Sequence, residues 1–560
     1  MTQDTHKRPF PEYLWIGVLA AGIVIRLLDG WHIPLFMDEA PILYNVAHFL
    51  RHKTIVPAHF SYPTFFSYLA AIPVITGFFI FYIHSGFPLA GLTNSQWTGF
   101  LFTASLGYSV MAGRILSIIF SVLTMVLVYR YARKRFGLTA GLTAILILSL
   151  DMAGGTYVVY SRYALPDVAS AFWATLGMIL IFSYSERKSI RYLYGAALAV
   201  GLGISTKYNA GMAVLPLALA AWWAVRDGQW KQGITVLLLT AAGFLAGSPG
   251  WILKPDSFLA GYLFEAHHMA RGHLGGHSMD WLWFFQDLWH TRTIILPVLA
   301  ATVLYSFRKH RRIDILFLVL ALPSFLVIGQ FEKKGIHYMF FLYPVAALFV
   351  GRFVQALRNR TGERRYARLL FTAAVAVFFF IQPLIRISGM VRRDLIRDNR
   401  EKALSWMPEH MATGSRVTID PLVMSGVWDQ GDVQELKQSF RAAGNPYLDH
   451  LNRFFENKPV YWLRDIRTVW EDAAALDTLN SDYLVAFSSN YQRFFTDNPR
   501  HMPPAGTPLY DEFMRKKRFY VYLLNGTEHG FRRIKTFDGK AGPEIHIFRL
   551  VSRNRNDAAS

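Results

Sequence analysis

The stretch AGRILSIIFSVLTMVLVYRYARKRFG, residues Ala112 to Gly137, has one arginine at its head, then an apolar run, then Arg130, Arg133, Lys134 and Arg135 at its tail. About 20 apolar residues are what a helix needs to cross the hydrocarbon core, and Lys and Arg gather on the cytoplasmic side of such helices. The pattern repeats along the first two thirds of the chain. Basic clusters fall at Lys7-Arg8, Arg187 to Arg191, Arg226 to Lys231, Arg308 to Arg312 and Arg352 to Arg368. Between them, apolar runs near 13–30, 110–129, 138–157, 167–184, 192–207, 210–225, 232–251, 291–307, 313–330, 337–356 and 367–388 predict eleven crossings.

Composition agrees with this reading. The 560 residues are 53% hydrophobic and 17% charged, against about 25% charge in soluble chains. Intrinsic disorder is excluded by the apolar content, and a disulfide scaffold by the absence of cysteine. The net charge of +20 does not point to nucleic acid, because residues 1–388 hold 33 basic and 16 acidic residues in short loop ends rather than on one basic face. From residue 389 the counts are 25 and 22.

The charge pattern sets an expected topology. Lys7-Arg8 places the N-terminus inside and Asp38-Glu39 outside. No small-residue cleavage site follows the first run, so it reads as a retained span. Arg130 to Arg135 must lie inside, so the chain between Glu39 and Arg114 crosses an even number of times. Segment 64–83 is apolar enough to span, but Pro63, Pro73 and Pro88 interrupt the region, which favours a long outer loop, 31–109, with interfacial helices. The expected organisation is a polytopic α-helical membrane domain, 1–388, and an outer soluble α/β domain, 389–560. In the latter, Gly414–Asp420, Asp482–Ser488, Phe519–Leu524 and Ile545–Val551 read as strands and Arg400–Met407 as a helix. Asn525-Gly526-Thr527 fits either a glycosylation sequon or a turn.

Ionisable residues at membrane depth are costly, so each is a functional candidate. Asp38-Glu39 directly follows the first span; one carboxylate could take a hydroxyl proton and the other bind a divalent cation, or the pair could serve a helix N-terminus. Asp167, after Pro166, opens the fourth run and fits either a helix start or a second acid in the same outer cavity. Lys207 sits in the polar break Ser205 to Asn209, where it could snorkel or hold a phosphate. The loop His267-His268-Met269-Ala270-Arg271-Gly272-His273-Leu274-Gly275-Gly276-His277 matches no closed zinc spacing and suits phosphate contacts or plain loop residues. Basic residues in Glu332-Lys333-Lys334-Gly335-Ile336-His337-Tyr338 depart from the inside rule, and an anionic head group would explain them.

The order of these features, with Arg114 opening a crossing, then Pro166-Asp167, Thr206-Lys207-Tyr208-Asn209-Ala210-Gly211 and His337-Tyr338 leading to Tyr343-Pro344, resembles the GT-C membrane glycosyltransferases over residues 10–356. It looks most like glycosyltransferase family 39, the protein O-mannosyltransferases and lipid A aminoarabinose transferases. The resemblance implies inverting transfer of a sugar from a polyprenyl-phosphate donor to a lipid, glycan or protein hydroxyl outside the membrane; the alternatives are a secondary transporter and another GT-C activity such as oligosaccharyl transfer. It implies Asp38, Glu39 and Asp167 as the catalytic acids, with a divalent cation on them left open. Lys207, Arg114, Arg162, His337, Tyr338, Arg271 and His273 are the implied donor-phosphate group. His337 stands where related sequences often carry arginine, and a neutral histidine is a poor permanent anchor. A bacterial inner or plasma membrane is the expected location.

Overall fold

A computed structural model describes residues 10–28, 37–84, 106–150, 156–272, 282–292, 295–360 and 396–551, apart from short gaps at 421–422, 425, 443–446, 467–478, 496–501 and 526–529, together with single positions 274, 385, 388, 389 and 392. The first part is helical. Its main elements are α1 (Phe10–Leu27), α2 (Ala40–His52), α3 (Phe65–His84), α4 (Leu106–Phe136), α5 (Leu138–Leu150), α6 (Pro166–Arg187), α7 (Ile190–Thr206), α8 (Val214–Arg226), α9 (Trp230–Gly247), α10 (Pro255–Arg271), α11 (Trp283–Arg292), α12 (Ile295–Lys309), α13 (Arg312–Gly329) and α14 (Tyr343–Arg360).

Four described stretches are long and apolar enough to cross a bilayer, namely Val110–Phe136, Pro166–Arg187, Tyr208–Arg226 and Arg312–Gly329. Tyr13–Leu27, Phe65–Gly77 and Leu138–Leu150 are shorter apolar helices. The predicted run 138–157 therefore holds a 13-residue helix, and most of 367–388 lies outside the described residues. Proline did not break 64–83: α3 is one 20-residue helix with Pro73 inside it. Proline removes a single amide bond and its strain is local, so packing of α3 on α2 and α4 carries the helix through. The amphipathic α2 keeps the interfacial character expected of this region.

Sequence chemistry sets the helix ends. Pro166 opens α6, where a missing amide costs nothing, and Asp167 lies in its first turn. Arg133, Lys134 and Arg135 close α4 beside its carbonyl end. α6 is the most enclosed of the long apolar helices, with 72% of its apolar window buried, and packs along α7. α7 in turn lies against α9 through two glycines. A Cβ on Gly201 would meet the Thr240 carbonyl at 2.2 Å, and one on Gly243 the Leu198 carbonyl at 2.7 Å. Leu237 (69% exposed) and Leu326 (62% exposed) mark faces turned outward from the bundle, as lipid contact requires.

The C-terminal part carries a six-stranded sheet in the order β2-β3-β1-β4-β6-β5. Its strands are β1 (Arg416–Ile419), β2 (Trp428–Asp429), β3 (Val460–Asp465), β4 (Tyr483–Phe487), β5 (Phe531–Phe537) and β6 (Ile545–Leu550). β2, β3, β1 and β4 pair in parallel, and β6 joins β4 and β5 antiparallel. One face is packed by α15 (Asn399–His410) through Ala403 and Met407, and the other by α18 (Pro508–Asn525), which follows α16 (Gln430–Ala442) and α17 (Tyr447–Phe455) in the chain. The expected strand at Phe519–Leu524 is part of α18. Phe513, Phe519, Tyr520 and Leu523 are its buried residues, a helical stripe that the aromatic run at 519–522 disguised as β-structure.

Candidate active site

Residues at or near the ends of α2, α4, α6, α7 and α10 converge with the loop before α14. Lys207 stands where the helical run breaks: its backbone is extended (φ −156°, ψ 131°) between α7 and the 3₁₀ turn Tyr208–Ala213. From there Nζ donates to Asp167 Oδ1 at 2.6 Å, and both residues are buried. The ammonium also faces the rings of Tyr338 (5.5 Å) and Tyr62 (5.7 Å), which a desolvated cation favours. An ammonium has three donor hydrogens and Asp167 takes one.

Asp38 is half-buried and makes no hydrogen bond among the described residues. It lies within electrostatic reach of Asp167, Glu265, Lys333, Tyr62 and Tyr338. Its neighbour Glu39 is fully buried. Arg114 Nε and Nη2 donate to Glu39 Oε1 and Oε2 at 2.9 and 2.8 Å, and the Ala164 amide donates to Oε1 at 2.6 Å. That bidentate pair ties the start of α2 to α4 and to the turn before α6, and so fixes where Asp38 stands.

A second lysine completes the pocket. Lys333 Nζ lies 3.9 Å from Glu265 Oε1 and 5.9 Å from the Tyr338 ring, so Tyr338 is flanked by two ammonium groups. The Lys333 amide bonds to the Met269 carbonyl at 3.2 Å, which holds this loop on α10. Burial lowers the Lys333 pKa, against the opposing pull of Glu265, Asp38 and Asp167. Burial raises the Glu265 carboxyl, against Lys333 and Lys207.

The remaining predicted residues divide. Arg162 Nη2 donates to the Leu28 carbonyl at 2.6 Å and ties the end of α1 to the 160s turn. His337 precedes the start of α14, its Nδ1 3.0 Å from the Tyr160 hydroxyl and its ring stacked on Tyr160. Its ring is thus engaged by Tyr160 in both stacking and hydrogen bonding. Arg271 is exposed at the end of α10, and His273 lies outside the described residues. His268 is held down to about 4 by burial and by Lys333. Among the described residues no three His, Asp or Glu side chains gather as a metal cage.

Glu265, Tyr62 and Tyr160 were not singled out from sequence. Glu265 is the one acid in the last two turns of α10, and its helix is brought inward by close packing on Phe60, against whose backbone a Cβ at Gly261 would stand at 2.8 Å. The Tyr62-Pro63 pair carries no signal apart from its place in the outer loop.

Solved structures share this arrangement of helices and sheet. The structure of ArnT from Cupriavidus metallidurans bound to undecaprenyl phosphate aligns over 87% of this chain and 94% of that chain, with TM-score 0.51 and 13% identity. The oligosaccharyltransferase of Archaeoglobus fulgidus tethered with an acceptor peptide aligns over 95% and 80%, with TM-score 0.53 and 13% identity. The chain has the GT-C fold. It is an integral membrane protein of that architecture, and the resemblance carried by the motif order stands. A family described as dolichyl-phosphate-mannose-protein mannosyltransferase matches residues 95–263. The undecaprenyl phosphate-alpha-4-amino-4-deoxy-L-arabinose arabinosyl transferase of Pseudomonas aeruginosa is 27% identical over 287 residues, 48% of this chain and 50% of that protein. An uncharacterized protein of Aquifex aeolicus is 34% identical over 125 residues, 21% of this chain and 24% of that one. The chain spans about half the length of the curated relatives it matches.

Proposed function

We propose that this protein is an inverting glycosyltransferase that moves a sugar from a polyprenyl-phosphate donor to an acceptor hydroxyl at the outer face of a bacterial inner membrane. The observation that carries the reading is the charge layout: Asp38 has no hydrogen bond among the described residues, while Lys207 and Lys333 flank one tyrosine ring beside it. A base and two cations in one pocket are what the chemistry needs.

Asp38 accepts the proton of the acceptor hydroxyl as that oxygen attacks the anomeric carbon from the face opposite the phosphate. The anomeric carbon–oxygen bond breaks, the electron pair leaves on the phosphate, and the polyprenyl phosphate departs. Lys207 and Lys333 meet the charge that develops there. Asp167 orients Lys207. Glu39 and Arg114 position Asp38, and Arg162 and His337 brace the surrounding turns. The domain 389–560 stands outside the membrane in this reading and contributes to acceptor binding.

The printed activity of the Pseudomonas relative and the lipid phosphate of the Cupriavidus structure support a lipid-linked donor. The second reading, oligosaccharyl transfer, is favoured by the Archaeoglobus likeness in fold alone. The test is to incubate the full chain in nanodiscs with radiolabelled undecaprenyl-phosphate-linked sugar and a lipid, glycan or peptide acceptor. Release of undecaprenyl monophosphate with labelled acceptor supports the proposal. Release from a diphosphate-linked donor only supports the second reading, and no release with any donor overturns both.

A further inference from the structure

Two polar groups next to Lys207 are buried without partners among the described residues: the Tyr208 hydroxyl and Asn209 Oδ1. Burying such a group unpaired is costly, and native structures rarely carry it without a reason. The two residues directly follow, in the 3₁₀ turn Tyr208–Ala213, the cation read as the donor-phosphate anchor.

Their orientation is set by neighbours. Asn209 Nδ2 donates to the Tyr338 carbonyl at 2.8 Å. The reverse amide placement would set oxygen against oxygen, so Oδ1 is the free acceptor. The Tyr208 ring stands edge-on to Tyr262 (5.2 Å) and Phe258 (6.4 Å), held there by α10, and its phenol is within electrostatic reach of Glu265. Asn209 thus holds the backbone of Tyr338 while Lys207 and Lys333 face the ring of the same residue.

We propose that Tyr208 and Asn209 are specificity-determining residues that receive hydroxyl groups of the transferred sugar, the phenol donating and Oδ1 accepting. This rests on the lipid-linked donor reading above. Neutral groups add little to phosphate binding beside two lysines, whereas a sugar hydroxyl both donates and accepts. The sugar ring is joined to the phosphate through a single oxygen, so its hydroxyls lie within a few bonds of the group Lys207 anchors. A site with buried polar groups discriminates strongly, because an analogue lacking the matching hydroxyl leaves them unpaired.

The test compares two probes on the full chain in nanodiscs, undecaprenyl phosphate and undecaprenyl phosphate carrying 4-amino-4-deoxy-arabinose or mannose, with affinity measured for wild type, Tyr208→Phe and Asn209→Ala. Tyr208→Phe removes one oxygen and keeps the packed ring. The expected result is an unchanged affinity for the bare lipid phosphate and about a tenfold loss, equivalent to about 1.4 kcal/mol, for the sugar-bearing lipid. Asn209→Ala also removes the tether to Tyr338, so it should weaken both lipids, with the larger loss for the sugar-bearing one. Equal losses for both lipids, or no loss for either, would overturn the assignment of sugar contacts while leaving the donor reading in place. Failure of the wild type to bind either lipid would overturn the donor reading and this inference with it.

Discussion

Two regions of the bundle each bury a carboxylate with a cation, and they use the pair in opposite ways. In one, Arg352 holds Asp314 through two hydrogen bonds, one of 3.2 Å from Nη2 to Oδ2, and its guanidinium is packed by Phe136, Tyr305 and Phe349. Asp314 also accepts from the Arg311 amide at the start of α13. Both members of that pair are engaged with each other. In the candidate site Lys207 gives Asp167 one bond, Lys333 stands 3.9 Å from Glu265, and Asp38 makes no hydrogen bond among the described residues. Rigid guanidinium forks close a pair completely, while ammonium groups leave hydrogens over. The lesson is that charge alone does not mark a site; incomplete pairing does. By the same measure Glu39 and Arg114, expected as catalytic and phosphate-binding, form a closed bidentate pair, which is why the proposed function gives them a positioning role.

This contrast can be broken by substitution. Arg352→Met should cost most in stability, about 3–5 kcal/mol, because Asp314 stays buried without its partner, with donor affinity of the folded fraction unchanged; thermal unfolding in detergent and donor titration check both halves. Lys207→Met should cost less stability, about 1–3 kcal/mol for the lost charged hydrogen bond, and should lower kcat/KM for donor sharply. If the two variants behave alike in both assays, the distinction between closed and open pairs fails.

The pH profile sharpens it. Glu265 titrates above the ordinary carboxylate range and Lys333 below the ordinary lysine range, both through burial. The pair is fully charged only between those shifted values. Donor kcat/KM should therefore fall on the acid side as Glu265 is protonated and on the alkaline side as Lys333 loses its proton. Lys333→Arg, which stays charged, should move the alkaline limb upward. The smallest effect belongs to His268: with its pKa near 4 it is neutral across pH 5–8, so His268→Gln should leave the profile in that window unchanged.

Much of this was legible in the sequence. Charge alternation gave the membrane part, because transfer of apolar surface and retention of Lys and Arg inside follow composition directly. Asp38, Asp167 and Lys207 stood out as candidates because each interrupts or ends an apolar run. The wrong expectations share a cause, which is that local signals stood in for tertiary ones. Pro73 marked a break that packing removed. The aromatic run at 519–522 looked like a strand until its buried residues showed a helical stripe. The partnership of Glu39 with Arg114 spans 75 residues, and the approach of Glu265 to Lys333 depends on α10 resting on Phe60; nothing at short range announces either.

The most direct measurement is single-turnover sugar transfer by Asp38→Asn, with donor affinity measured on the same preparation. The account predicts a rate loss of about 10²–10⁴-fold, the usual worth of a general base, with undecaprenyl-phosphate-sugar still bound at near wild-type affinity. Unchanged turnover in the variant would contradict it.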